Sequence, residues 1–130
     1  MKSIVKIIPL LFILLVTSCS KELNEFSPTI KNEKNNFRIT ASGVDCVTES
    51  ELSYTWNNEG SKAKVHQTSS ITDGSGTLVV TDNNGTEVIN TTIGNGDLKM
   101  DSSVGQSGTW TIKITMDAID GDIDIKVEKK

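Results

Sequence analysis

The chain has 130 residues, with 13 lysines and arginines against 17 aspartates and glutamates, so its formal net charge is −4. This length supports one domain with a single modest core, and an acidic balance without a clustered basic face argues against nucleic acid as a partner. One histidine and two cysteines are fewer than the four such ligands of a structural zinc site.

Residues 1–18 have the pattern of a cleaved secretory signal. Lys2 and Lys6 form a basic region, and residues 7–16 form an apolar run. A run of about ten residues has the length of a signal segment and is too short to span a bilayer. We therefore expect residues 1–18 to be removed from the mature protein.

The motif Val16-Thr17-Ser18-Cys19 ends this segment and resembles the lipobox of bacterial lipoproteins. The resemblance implies that Cys19 is diacylated on sulfur and becomes the mature N-terminus. Two acyl chains hold a protein at a bilayer without a spanning helix, so a membrane is the expected partner, bound through Cys19. The alternative is an ordinary signal peptide that happens to end in a cysteine.

The residues after Cys19 bear on location. Ser20 and not aspartate follows the cysteine, and the run CSKELNE resembles the short charged stretch of Bacteroidota lipoproteins. The resemblance implies an outer-membrane protein, facing either the periplasm or the outside. If Cys19 bears lipid it cannot pair, and Cys46 is then expected to be a small buried side chain and not a reactive thiol.

Residues 19–36 are polar and rich in asparagine, with Pro28 in the middle and few apolar residues apart from Phe26 and Ile30. Such a composition cannot bury enough surface to order itself. We expect a lipidated N-terminus and flexible tether over 19–36, followed by one domain over 37–130. The alternative is an edge strand at residues 26–30.

Alternation of apolar and polar residues predicts strands along the rest of the chain. The first three are expected at residues 37–41, 52–56 and 62–67. Residues 76–81 and 86–91 flank Asp82-Asn83-Asn84-Gly85, where Asn84-Gly85 readily takes the positive φ that tight hairpin turns require. These two segments are predicted to form a β-hairpin.

The clearest alternation lies near the C-terminus, at residues 109–116 and again at 122–128. The intervening residues 117–121, Asp-Ala-Ile-Asp-Gly, have the chemistry of a turn, so we predict a second antiparallel hairpin. Six or seven short strands separated by turns predict an all-β fold, a single immunoglobulin-like or related antiparallel β-sandwich.

The segments Ser75-Gly76-Thr77-Leu78-Val79-Val80-Thr81-Asp82, Gly108-Thr109-Trp110-Thr111-Ile112 and Gly121-Asp122-Ile123-Asp124-Ile125 resemble those of small Bacteroidota lipoproteins with a compact extracytoplasmic β-sandwich. The resemblance covers most of residues 75–128. It implies a fold and a location and transfers no functional residues.

Catalytic and metal sites find little support in the residues. His66 alternates with lysines and is expected to face solvent on a strand. Asp117, Asp120, Asp122 and Asp124 gather near one predicted turn, but their spacing fails the EF-hand pattern. We therefore predict no catalytic, cofactor-binding or metal site.

Aromatic side chains are the remaining candidates. Trp110 shares its face with apolar residues and is expected in the core, as are Tyr54 and Trp56, which have the parity of Leu52. The sequence favours a non-enzymatic, lipid-anchored cell-envelope protein whose β-sandwich serves binding or envelope structure. The alternative is a carbohydrate- or glycan-binding accessory module, in which Tyr54 or Trp56 is exposed to the ligand.

Overall fold

The computed structural model describes residues 27–47 and 51–130, apart from the side chains of residues 45–47. All regular structure in these residues is β-strand, so the predicted all-β class is confirmed. The strands are β1 (Thr29–Glu33), β2 (Asn36–Val47), β3 (Leu52–Asn58), β4 (Ala63–Thr81), β5 (Glu87–Ile93), β6 (Gly96–Asp101) and β7 (Gly108–Lys129). No helix in this described part is long and apolar enough to cross a membrane.

Two long strands, β4 and β7, pair with each other along most of their length. Both bend near the middle, so the seven-stranded sheet folds back on itself into two halves. In the four-strand half the order is β3, β7, β4, β5. In the five-strand half it is β1, β2, β7, β4, β6. All of these pairings are antiparallel.

The bend lies where residues 71–75 of β4 meet residues 117–121 of β7. The ladder shifts register between Ile71 and Asp73 and again between Asp73 and Ser75. Such bulges bend a strand and increase its twist. The sheet therefore folds back because two continuous strands, β4 and β7, contain bulges at this point.

Backbone approach at the bend is close enough to require glycine. Gly74 has φ +80° and Ala118, opposite, has φ +54°. A Cβ on Gly74 would lie 2.7 Å from the Asp117 carbonyl oxygen and closer still to that of Ala118. Positive φ disfavours any side chain with a Cβ, so two independent effects select glycine at position 74.

The inward-facing side chains change parity at the bend. In β7 the buried residues are even-numbered from Trp110 to Met116 and odd-numbered from Ile119 to Val127, where only Gly121 is partly buried. In β4, odd-numbered residues are buried up to Ile71, and even-numbered residues are buried from Gly76 onward. A one-residue shift reverses every side chain of a strand, so the bulges keep the apolar side of both strands on the inside.

One apolar cluster lies between the two halves. Trp56 and Trp110 meet edge to face, with ring centroids 5.9 Å apart and planes at 90°. Phe37 of the five-strand half lies 5.5 Å from Tyr54 of the four-strand half, and the indole Nε1 of Trp56 donates to the Glu33 carbonyl at 3.1 Å. The two halves of this one continuous sheet are therefore in direct contact.

The hairpin predicted for residues 109–116 and 122–128 is wrong. Both segments belong to β7, and residues 117–121 form its bend. Residues 63–67 and 76–81 are likewise two parts of β4. A bulged bend and a turn use the same small and polar residues, and long-range pairing between β4 and β7 decides between them.

The predicted hairpin around Asn84-Gly85 is confirmed, because β4 and β5 pair antiparallel on either side of it. Gly85 takes φ +84°. Strand β6 was not predicted, since its segment GDLKMD lacks β-branched residues. Its inward side chains, Leu98 and Met100, are only partly buried, which explains the weak pattern.

The expectation of a flexible tether over residues 19–36 is wrong from residue 29 onward, where the chain forms β1. Strand β1 pairs with β2 along its whole length, with Ile30 opposite Ile39, and Ile30 packs against the core. The backbone ladder supplies the order that composition alone did not predict. The alternative of an edge strand at residues 26–30 overlaps β1 only at its end, and Phe26, like the leader and Cys19, lies outside the described residues.

Candidate functional site

The aromatic candidates occupy different environments. Trp56 is 1% exposed and Trp110 is fully buried, so the core positions expected for both are confirmed. Trp56 therefore offers no ring face to a sugar. Tyr54 is partly buried and its ring packs against Phe37, and burial raises the pKa of its hydroxyl. Tyr54 alone of the predicted ligand-binding pair keeps a partial exposure.

His66 lies on the outer face of β4, with 35% of its side chain exposed, as the alternation predicted. Its Nε2 lies 2.8 Å from Asp97 Oδ1 of the neighbouring strand β6. The pair sits on an open sheet surface and not in a cleft. This position gives the imidazole an orienting carboxylate but no enclosure for a reacting group.

The four aspartates near residues 117–124 spread along the bend and do not converge. Asp124 accepts two hydrogen bonds from Arg38, at 3.0 and 2.8 Å, and this pairing lowers the pKa of Asp124. Asp122 accepts from the backbone N–H of Gly43 at 2.9 Å. Among the described residues no group of three or more histidines, cysteines, aspartates or glutamates could hold a metal ion.

Asp82 has a structural role that the sequence indicated only as a turn position. Its carboxylate is buried and accepts from the backbone N–H groups of Asn84 and Thr86 at 2.9 and 2.8 Å. Its other oxygen accepts from the N–H of Gln106 at 2.8 Å. These bonds, that of Thr86 foremost, lower the pKa of Asp82. The side chain thus ties the β4–β5 turn to the loop before β7.

An open depression of about 410 Å³ lies at the bend, beside the junction of β5 and β6. Its floor contains Ile71 and Ile93, which are almost fully buried. Asn95 closes one side, where its Oδ1 accepts from the backbone N–H of Ile71. The complete lining is Ile71, Thr72, Asp73, Gly74, Ser75, Thr92, Ile93, Gly94 and Asn95. The lining is mostly neutral, with one carboxylate.

The outer faces of the two halves differ in chemistry. The face of the four-strand half is rich in hydroxyl groups, from Thr55, Thr77, Thr81, Thr92, Thr109, Thr111 and Thr115. Lys113 is the one cation that the described residues place there, and it pairs with Glu51 at 3.3 Å. The face of the five-strand half is densely charged, with both signs in cross-strand register.

The chain matches no protein-family model and no curated protein at a significant level. The side chain of Cys46 belongs to the residues that are not described, although its backbone lies in β2. The expectations for Cys19 and Cys46 therefore stay predictions.

Proposed function

We propose that this chain is a non-enzymatic, lipid-anchored protein of the bacterial cell envelope. A diacylglyceryl group on Cys19 holds the β-domain at the outer membrane, and the domain serves binding or envelope structure. The observation that supports this proposal is the lipobox-like motif Val16-Thr17-Ser18-Cys19 at the end of a basic and apolar leader.

The start of β1 limits how far the domain extends from such an anchor. Thr29 is ten positions after Cys19, and ten residues reach at most about 35 Å when fully extended. The domain would thus be held within about its own length of the membrane surface.

The entry point of the chain gives the domain an orientation. Thr29 pairs with Thr40, on the bend side of β2, whereas Glu33 pairs with Asn36 at the opposite end. The bend would therefore face the membrane. The loops at residues 59–62, 82–86 and 102–107 would face away from it and present the domain to its surroundings.

The surface of the domain supports attachment through lipid. Val104, which is 67% exposed, is the sole exposed large hydrophobic side chain among the described residues. A membrane-inserting surface would need a larger apolar patch. The acyl chains would thus supply the membrane affinity that the described surface does not.

The test is metabolic labelling of cells with an alkyne fatty acid, followed by membrane fractionation. We expect the wild-type chain to be labelled and sedimented with the outer membrane, and Cys19→Ser to lose both properties. Cys46→Ser is the matched control and should keep the label. A label that survives Cys19→Ser, or that disappears in Cys46→Ser, contradicts the proposal.

A further inference from the structure

Five basic side chains, one from each strand of the five-strand half, share a line across its outer face. The register pairs Lys31 with Arg38, Arg38 with Lys126, Lys126 with His66, and His66 with Lys99. We call these five residues the basic row. Adjacent strands lie about 4.8 Å apart, so the row is roughly 19 Å long.

Like charges directly opposite each other destabilise a sheet, and the row contains two such pairs, Lys31 with Arg38 and Arg38 with Lys126. Acidic residues on either side reduce this repulsion. Arg38 binds Asp124 through two hydrogen bonds, and Lys126 lies 3.8 Å from Glu128. These carboxylates partly neutralise the middle of the row, so its net positive charge lies mainly at its two ends.

The ends of the basic row are open. Lys31 and Lys99 are exposed, and neither has an ion-pair or hydrogen-bond partner among the groups that the structure describes. Their ammonium groups remain free to bind an external anion. Lys31 lies on β1 and Lys99 on β6, the two edge strands of the five-strand half.

The acidic flanks restrict the shape of the anion. Asp124 and Asp97 lie on one side of the row, and Glu128 and Asp101, with Lys64 between them in register, lie on the other. Each flank is two residues along the strands, or about 7 Å away. A membrane surface or a duplex would press its own charge against these carboxylates, whereas a thin chain along the row would not.

Single-stranded nucleic acid is also thin, but it is bound through aromatic side chains that stack on its bases. The outer-face residues described for the five-strand half include no phenylalanine, tyrosine or tryptophan. An acidic glycan needs no such platform. Its charges repeat along a narrow chain, and its hydroxyl groups can donate to the flanking carboxylates.

We propose that the basic row binds an acidic polysaccharide laid across the strands, with two of its carboxylates or sulfates on Lys31 and Lys99, the ends of the row. This inference rests on the binding role proposed above and names its ligand class. It does not depend on the lipid, because the row belongs to the folded domain.

The experiment measures binding of the purified full-length protein to immobilised polygalacturonate, with dextran as the uncharged control. We expect retention at low salt, loss of retention at about 1 M salt, where screening acts within about 3 Å, and no retention on dextran. Removing one exposed ion pair weakens binding by about threefold, so Lys31→Gln with Lys99→Gln should weaken it by about tenfold.

Lys113→Gln is the matched control, since it removes a lysine from the other outer face and should leave binding unchanged. Thermal unfolding of each variant confirms that the exposed substitutions leave the fold intact. Failure to bind polygalacturonate at low salt, an equal loss in Lys113→Gln, or an equal weakening of binding to phosphatidylglycerol vesicles or single-stranded DNA by the double substitution at Lys31 and Lys99 overturns the inference. A bare thiol at Cys19 would contradict the lipid anchor proposed above but would not affect the binding of polygalacturonate by the basic row.

Discussion

Gly74→Ala tests whether the bend of the sheet depends on close backbone contact between β4 and β7. The new methyl group would lie 2.7 Å from the Asp117 carbonyl oxygen and closer still to that of Ala118. Neither obstacle is a flexible side chain, so the two strands must move apart. Because β4 and β7 run through both halves of the sheet, this separation disturbs the pairing on each side of the bend.

Two terms make up the expected loss of stability. A residue with a Cβ at positive φ costs about 1–2 kcal/mol, and forcing the backbone to shift adds about 1–3 kcal/mol. We expect a total near 3 kcal/mol, against about 5–15 kcal/mol for the unfolding of a whole domain. At about 4–8 °C per kcal/mol for a domain of this size, the Tm should fall by about 12 °C or more.

Gly85→Ala separates the two terms. Gly85 has φ +84°, close to the +80° of Gly74, but a Cβ there would meet no atom within 4 Å. The control should therefore lose only the conformational term, about 1 kcal/mol. Urea unfolding followed by fluorescence of the buried tryptophans measures both variants. Equal losses for Gly74→Ala and Gly85→Ala would refute the close approach at the bend.

Three further outcomes follow from the packing and the charges. Trp110→Ala should destabilise the domain by about 3–5 kcal/mol, because the ring is fully buried and its Nε1 donates to the Gln106 carbonyl oxygen at 2.8 Å. A loss of unfolding free energy below about 1 kcal/mol in urea would contradict the core position of Trp110. The folded-state pKa of Asp82 is lowered, so the stability that its carboxylate contributes is present above the unfolded pKa of about 3.9 and is lost as pH falls through the folded value. Asp82→Asn should therefore make Tm depend less on pH below about 4. The same dependence of Tm on pH in the wild type and in Asp82→Asn would argue against the buried carboxylate. Ala118→Gly relieves φ +54° and should raise stability by up to about 1 kcal/mol, whereas a clear loss in calorimetry would show that the methyl group is needed.

Local alternation predicted most of the core correctly. Residues 109–116 and 122–128 were expected to be strands with even and odd numbers inward, respectively, and Trp110, Ile112, Ile123 and Ile125 are all buried. The parity change between the two segments was visible in the sequence. It is compatible with a hairpin or with a bulge in one strand, and only the partner strand β4, which changes parity at its own bend, distinguishes the two.

The charged site could not be predicted in the same way. Lys31, Arg38, His66, Lys99 and Lys126 are scattered along the chain, and each looks like an ordinary solvent-facing residue in its own segment. Their alignment depends on the register of four strand pairs. A shift of one residue in any of these pairings would break the row, and one sequence contains no direct signal for register.

The directions in which the two chain ends leave the domain have a mechanical consequence. β1 and β7 both pair antiparallel with β2, so they run in the same direction, with Thr29 at the end near the bend and Lys129 at the far end. A force that separates these ends acts along the strands and loads many interstrand hydrogen bonds at once, instead of peeling them one by one. Traction between residue 29 and the C-terminus should therefore meet high resistance in a single-molecule pulling experiment.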